Sequence, residues 1–164
     1  LLVRPDNSLL ALRKPYPARH AYVATSHLYN LSCGTFFRGK LWKDGLRFDT
    51  RFRTLGDHDL ILRTLKQGAR TGTASRPLAA FAFTGGNLSW SDSAKRESAQ
   101  LHGEAPTWAK ALRIPLNLMR LTEKFMHGAY SAGPVDYALH EGEGTGARRS
   151  FHVDKASTKW PDER

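Results

Sequence analysis

The clearest hydrophobic pattern in the chain lies in residues 59–66, where apolar side chains recur at the spacing of one helix face. These side chains are Leu60, Ile61, Leu62 and Leu65. Gly68 follows where such a helix should end, because glycine readily adopts the backbone conformation that closes many helices. The pattern therefore predicts a helix with one buried face.

Short apolar or aromatic stretches predict strands elsewhere in the first half. Residues 8–13 ("SLLALR") and residues 32–38 ("SCGTFFR") each have the composition of a strand. Residues 70–83 predict one or two more strands, interrupted by Pro77, with "LAAFAF" as the buried one. Residues 39–45 predict a short helix or turn closed by a glycine.

The sequence changes character at Ser91. Residues 91–103 begin with a serine cap and continue with good helix formers. Residues 106–128 form a longer amphipathic segment, which Pro115 should kink or split. Its apolar residues near one face are Trp108, Leu112, Met119 and Met126, and its cations are Lys110, Arg113, Arg120 and Lys124. Two interpretations stay open: the segment lies on a membrane surface, or it packs on its own domain. The Gly-rich remainder predicts at most one further short strand.

Composition limits the class of protein. The 164 residues are 40% hydrophobic and 24% charged, which is typical of a folded domain. No run of 18 apolar residues and no secretory signal pattern is present, so we expect no membrane-spanning helix. The single cysteine, Cys33, excludes an internal disulfide framework and fits a reducing compartment, where we expect it to be a small buried side chain. The chain starts at Leu1 rather than at methionine, and we expect an N-terminal part to precede it.

Positive charge is concentrated near the N-terminus. The net charge is +10, and residues 1–54 hold ten Lys/Arg against three Asp/Glu. Such a surface attracts nucleic acid, anionic lipid or a phosphorylated substrate, or is simply a solvated basic face.

Asp57, His58 and Asp59 lie at the start of the predicted helix, and four interpretations of this triplet stay open. Asp57 can cap the helix while Asp59 interacts with the positive end of its dipole. The two carboxylates can hold Mg²⁺ or Mn²⁺, although no apolar strand precedes them. His58 can join a His-Asp metal pair if further ligands lie nearby. Finally, a carboxylate at a loop–helix junction can serve as a general base.

The flanking residues make one interpretation more specific. Five pieces follow one another in a characteristic order: Phe36-Phe37-Arg38, Gly45-Leu46-Arg47-Phe48-Asp49, Gly56-Asp57-His58-Asp59-Leu60, Arg63 and Gly68. This order and spacing resembles the second half of the catalytic domain in family 2 glycosyltransferases of the GT-A fold. The resemblance covers roughly residues 1–91, including "RPLAAFAFTGGNLS". It implies an α/β fold with a partial GT-A-like mixed sheet flanked by helices in residues 1–91, followed by a helical C-terminal extension with a polar tail in residues 92–164.

The resemblance also implies a reaction. It is the inverting transfer of a sugar from a nucleotide-sugar donor to an acceptor hydroxyl, in polysaccharide, glycolipid or glycan biosynthesis. The family's acceptor-deprotonating carboxylate corresponds to Asp57. The expected partners are the nucleotide-sugar and a glycan or lipid-linked acceptor, with no nucleic acid.

Five further residues are expected to contact substrate or to support the site: Asp59, His58, Trp42, Gly34 and Asn87. Asp59 orients the acceptor or ties down the loop, and His58 points to solvent or supports that loop. Trp42 stacks on a sugar ring or packs under the helix. Gly34 lies on the strand beside the acceptor, and Asn87 belongs to a Gly-Gly-Asn loop that covers the acceptor or forms a plain turn.

The chain departs from the family pattern at three places. Gly56 stands where an acidic residue often precedes the base, and Thr84 stands where many relatives have histidine. The nucleotide-binding half, with its own Asp-x-Asp, would precede Leu1. We therefore expect a divalent cation, Mg²⁺ or Mn²⁺, only in the full-length parent, with ligands mostly outside this chain and no activity in the chain alone. The expected location is the cytoplasm, with the membrane contact of residues 106–128 left open.

A small basic nucleic-acid-binding module is the alternative from another class. Its support is the basic residues of 1–54 and five aromatic side chains able to stack on bases: Tyr16, Tyr22, Tyr29, Phe36 and Phe37. The cations are scattered among turns, however, and no recognised nucleic-acid-binding motif accompanies them.

Overall fold

Two small sheets flanked by helices make up the described part of the chain, which comprises residues 1–84, 91–140 and 146–161 of a computed structural model. The mixed α/β class predicted from the sequence is therefore confirmed. In chain order the elements are β1 (Leu2–Val3), β2 (Leu9–Ala11), α1 (His20–Thr25), a 3-10 turn (Ser32–Gly34), α2 (Gly39–Lys43), α3 (Gly56–Lys66), β3 (Phe81–Ala82), α4 (Asp92–Gly103), α5 (Thr107–Ala111), α6 (Arg113–Met126), β4 (Val135–His140) and β5 (Arg148–Val153).

Strand β1 is the centre of the first sheet. It pairs with β2 in the antiparallel direction and with β3 in the parallel direction. The strand predicted in residues 8–13 is thus confirmed, whereas the predicted strand region 70–83 contributes only the two residues of β3. Strands β4 and β5 pair separately, with Val135 opposite Val153 and His140 opposite Arg148. The sequence pattern predicted only one strand after α6, so β4 was not predicted.

The strand predicted at residues 32–38 is wrong. Hydrogen bonds from Gly34 N to Leu31 O (3.0 Å) and from Thr35 N to Ser32 O (3.0 Å) close a 3-10 turn instead. The Thr35 hydroxyl also donates to Leu31 O. Small polar residues offer the backbone such local partners and so compete with strand pairing. Cys33 is exposed on this turn, so the prediction that it is buried is also wrong.

Helix α3 confirms the pattern of residues 59–66, although it begins earlier, at Gly56. Gly68, with a φ of +84°, ends it as predicted. The short helix predicted in residues 39–45 is α2, and Gly45 closes it with a φ of +95°.

The predicted helices of the second half are present. The Ser91 hydroxyl accepts a hydrogen bond from Ala94 N and caps α4. The segment 106–128 splits into α5 and α6. Pro115 lies in the first turn of α6, where it needs no hydrogen-bond donor, and its ring disfavours helical continuation at the carbonyl of Ala111, the last residue of α5. Within the described ranges, no helix is both long enough and apolar enough to cross the lipid bilayer.

Two clusters of buried side chains form the core. The larger one packs α1 and α3 against α4, and includes Val23, Ile61 and Leu101. The smaller one joins β1 to the β4–β5 hairpin through Val3, Val135 and Tyr137 among others. Both clusters contain residues from each side of position 91, and the division into 1–91 and 92–164 stays a prediction.

Candidate functional site

Asp57 lies in the first turn of α3 and is half-buried. Its Oδ1 accepts a hydrogen bond from the backbone N–H of His58 at 2.8 Å, one of the donors that a helix start leaves without an intrahelical partner. In the described part of the chain, Oδ2 has no hydrogen-bond partner. One carboxylate oxygen is therefore held by the helix and the other is available to a ligand.

Asp57 is not the cap residue of α3, contrary to one interpretation of the sequence. The cap position belongs to Leu55, whose side chain cannot accept a hydrogen bond. Glu97 of α4 instead binds the backbone of the loop that enters the helix. Its Oε1 accepts from Arg53 N (3.1 Å), and its Oε2 accepts from Thr54 N (3.0 Å) and Leu55 N (2.8 Å). The loop that leads to Asp57 is therefore fixed by a residue more than forty positions away.

Asp59 is tied to its own helix rather than open to a ligand. Only 5% of its surface is exposed, and its Oδ2 accepts from Arg63 Nε (2.9 Å) and Nη2 (2.7 Å). Arg63 also donates to the carbonyl of Arg47 at 2.7 Å. The pair thus joins α3 to the loop before it, which agrees with the loop-tying role expected for Asp59.

His58 points into the protein, so of the two alternatives expected for it, facing solvent is wrong and a supporting position stays open. It is 4% exposed, and its Nε2 lies 3.3 Å from the carbonyl of Val23 in α1. The His102 ring of α4 lies perpendicular to it, with 6.5 Å between ring centroids. Burial lowers the pKa of His58, although the Val23 carbonyl favours protonation, so the neutral ring is the stable form here. His58 therefore links the first turn of α3 to α1 and α4 inside the protein.

Trp42 belongs to an aromatic group that reaches the N-terminal end of α3. Its ring meets Phe37 edge-on, with centroids 5.7 Å apart, and lies 6.2 Å from the ring of Phe48. A Cβ placed on Gly56 would be 3.7 Å from Phe48 Cδ1. The aromatic group therefore reaches the residue before Asp57, and Phe48 itself is largely exposed.

Gly34 does not join this arrangement. It is exposed on the 3-10 turn, and among the described residues no heavy atom beyond its chain neighbours lies within 4 Å of where its Cβ would be, so no close approach to them requires a glycine there. Asn87 lies outside the described residues, as does the rest of the Gly-Gly-Asn loop.

The described residues do not by themselves make a site for a divalent cation. Asp59 is engaged by Arg63, which leaves Asp57 as one half-exposed carboxylate. Within the described ranges, no three His, Cys, Asp or Glu side chains are grouped so as to hold a metal ion. The sequence expectation placed most ligands outside this chain, and that expectation stays a prediction.

Glu97, His102 and Arg120 are supporting residues that the sequence analysis missed. Arg120 is buried on α6, donates to the Tyr16 hydroxyl at 2.8 Å and lies over the Tyr29 ring. The contacts of Glu97, His102 and Arg120 described here join residues far apart in sequence, so the local spacing of residues could not predict them.

The chain was compared with protein-family models, with curated proteins and with solved structures. None of the three comparisons gives a match, and no family is shown for this chain.

Proposed function

We propose that this chain is the acceptor-side half of an inverting glycosyltransferase of the GT-A fold, with Asp57 as its general base. The observation that carries the proposal is the aromatic group Phe37–Trp42–Phe48 at the N-terminal end of α3. An aromatic face can pack against the apolar side of a sugar ring, and a nearby carboxylate can remove the proton of an acceptor hydroxyl.

The chemistry requires one base and no covalent intermediate. Asp57 accepts the proton of the acceptor hydroxyl while that oxygen bonds to the anomeric carbon, and the nucleoside diphosphate leaves from the opposite face with the bonding electrons. The His58 N–H donates to Asp57 Oδ1 and so fixes the orientation of the carboxylate at the N-terminal end of α3. In the full-length parent, Mg²⁺ or Mn²⁺ would stabilise the departing diphosphate.

The test uses the natural protein that contains this chain together with its donor-binding half. Asp57→Asn keeps the shape of the side chain and removes the base, so we expect transfer to fall by about 10²–10⁴-fold. Binding of the nucleotide-sugar should stay within about twofold of wild type, because the donor is held elsewhere. The matched control is Asp154→Asn, an exposed aspartate beyond β5. A near-normal transfer rate for Asp57→Asn would show that Asp57 is not the base.

Trp42 gives an independent check of the acceptor side. Trp42→Ala should raise the acceptor KM more than it lowers kcat, since it removes a binding surface and leaves the base in place. A change confined to the donor KM would contradict this arrangement.

The nucleic-acid alternative loses most of its predicted stacking surface. Tyr16, Tyr22 and Tyr29 are buried in the main core cluster, so the prediction that they stack on bases is wrong. Phe36 is the exposed member of that set. A salt titration decides the matter, because binding to nucleic acid weakens steeply with salt.

We propose a cytoplasmic location for the same protein. The support is the single cysteine, which fits a compartment where thiols stay reduced.

A further inference from the structure

The apolar side of helix α6 faces the solvent. Large apolar side chains cover the solvent-facing side of α5 and α6: Trp108, Leu112, Ile114, Leu118, Met119, Phe125 and Met126. Phe125 is 71% exposed and Met126 is 79% exposed. At 100° per residue, Thr122 marks the middle of this side and lies opposite the buried Arg120. We call this surface the α5–α6 apolar face.

Polar side chains attach the helix to the domain. Arg120 donates to the Tyr16 hydroxyl and to Asn117 Oδ1, and Glu123 forms a two-pronged ion pair with Arg19. Leu116 adds one apolar contact with the main core cluster. Turning the helix over would bury the apolar face but would break these polar contacts, so the outward orientation is built into the packing.

The charges around the face are complementary to an anionic surface. Residues 106–128 contain four Lys/Arg, of which Arg120 is buried on the opposite side, and one acidic residue, Glu123, which is engaged by Arg19. Lys110 and Arg113 are exposed near the start of the face. A second copy of the chain would carry the same positive rim and the same +10 charge, so electrostatic repulsion disfavours a dimer across this face.

The shape and composition fit the interface of a bilayer. Helix α6 has 14 residues and is therefore about 21 Å long. Exposed Trp108 and Tyr130 lie near the two ends of the segment, and such aromatic side chains favour the headgroup level of a membrane. An apolar side with cationic flanks is typical of helices that lie in the membrane plane.

We propose that the α5–α6 apolar face docks on an anionic lipid bilayer, with the two helices lying in the interface and Lys110 and Arg113 contacting lipid phosphates. This proposal stands on the exposed face and its charges and does not depend on the transferase proposal.

The test is flotation of the 164-residue chain with two kinds of vesicle. One is pure phosphatidylcholine, and the other is an equimolar mixture of phosphatidylcholine and phosphatidylglycerol. We expect binding to the anionic vesicles that weakens with salt, because screening reduces the attraction of exposed cations. Leu118→Glu and Phe125→Glu should each lower the partition coefficient by about tenfold or more, since each removes a large side chain from the apolar interface. Lys110→Gln and Arg113→Gln should each lower it by about fivefold.

Phe36→Glu is the matched control. Phe36 is 72% exposed in the segment between the 3-10 turn and α2, outside α5 and α6, so this variant makes the same kind of change outside the two helices and should bind as wild type does. Circular dichroism and thermal unfolding of each variant confirm that the fold is retained, which the exposure of every substituted position favours.

Three results would overturn the proposal. One is equal binding to neutral and anionic vesicles, and another is equal loss of binding in Phe36→Glu and Phe125→Glu. The third is a dimer by light scattering that Phe125→Glu converts to monomer, because a second copy would then be the occupant of the face.

Discussion

Glu97 offers the sharpest test of how the candidate site is held. Its carboxylate accepts three backbone N–H groups from residues 53–55, and the Ser93 hydroxyl donates to the same carboxylate at 3.2 Å. Replacing Glu97 by alanine leaves those three donors to water and frees the loop that leads to Asp57. Replacing it by glutamine keeps one oxygen acceptor but removes the charge.

The expected cost follows from the energetics of hydrogen bonds to a charged acceptor. Loss of one ordinary hydrogen bond costs about 1 kcal/mol, and a charged acceptor roughly doubles that value. Glu97 is half-exposed, so water replaces part of the loss. We therefore expect the free energy of unfolding to fall by about 2–3 kcal/mol in Glu97→Ala and by about 1 kcal/mol in Glu97→Gln. For a chain of this size, these values correspond to drops in Tm of about 5–10 °C and about 2–4 °C.

Thermal unfolding followed by circular dichroism measures the effect, with Glu104→Ala as the control. Glu104 is an exposed acid at the end of the same helix, and its loss should change stability by less than about 0.5 kcal/mol. Hydrogen exchange supplies a local signal, because the amides of Arg53, Thr54 and Leu55 should lose protection in Glu97→Ala. A Tm for Glu97→Ala equal to that of Glu104→Ala would refute the role of Glu97 in holding this loop.

The effect should also depend on pH. Burial opposes ionisation of Glu97, but the backbone donors outweigh it and lower the pKa below its usual value of 4.5. The stabilisation is therefore fully present above pH 4.5 and is lost as the pH falls through the lower folded-state pKa. The stability gap between wild type and Glu97→Ala should shrink over that acidic range.

Two further predictions concern the elements around α3. Arg63→Ala leaves the buried Asp59 carboxylate without its partner and should cost about 2–3 kcal/mol, measured by urea unfolding, whereas Arg63→Ala with Asp59→Asn should recover part of that loss. Burial lowers the pKa of His58, so stability should be full above pH 6.5 and should decline as the pH falls toward the folded-state pKa. His58→Gln should lose less stability than wild type between pH 7.5 and 5.5, and an equal loss in both proteins would exclude His58 as a contributor.

Local sequence signals predicted α3 and its end well. The apolar residues that define α3 all lie within that one helix. Gly68 adopts a positive φ, which costs glycine little conformational energy. The failure at residues 32–38 has the opposite origin. Aromatic residues there suggested a strand, but Ser32 and Thr35 form local hydrogen bonds that close a 3-10 turn instead. The alternation of Val135, Tyr137 and Leu139 in β4 was present in the sequence and was overlooked.

Long-range contacts determine the geometry around Asp57, and a local sequence pattern cannot predict such contacts. Spacing placed Asp57 at a helix start, but it could not show that Glu97 holds the preceding loop or that Phe48 brings the aromatic group to Gly56. His58 shows the same limit, because its burial depends on α1 passing behind α3.

Helix α6 shows why amphipathicity alone leaves orientation open. The sequence separates apolar from cationic residues, and the usual expectation is that the apolar side turns inward. Here Arg120 donates a hydrogen bond to the Tyr16 hydroxyl, and Glu123 forms an ion pair with Arg19. The polar side of the helix therefore has hydrogen-bond and ion-pair partners on the domain. A buried arginine is tolerated only where such partners exist, since an unpaired buried charge is far more costly than an exposed leucine. The polar contacts therefore decide the orientation, and the apolar side is left facing outward, where an anionic membrane can cover it.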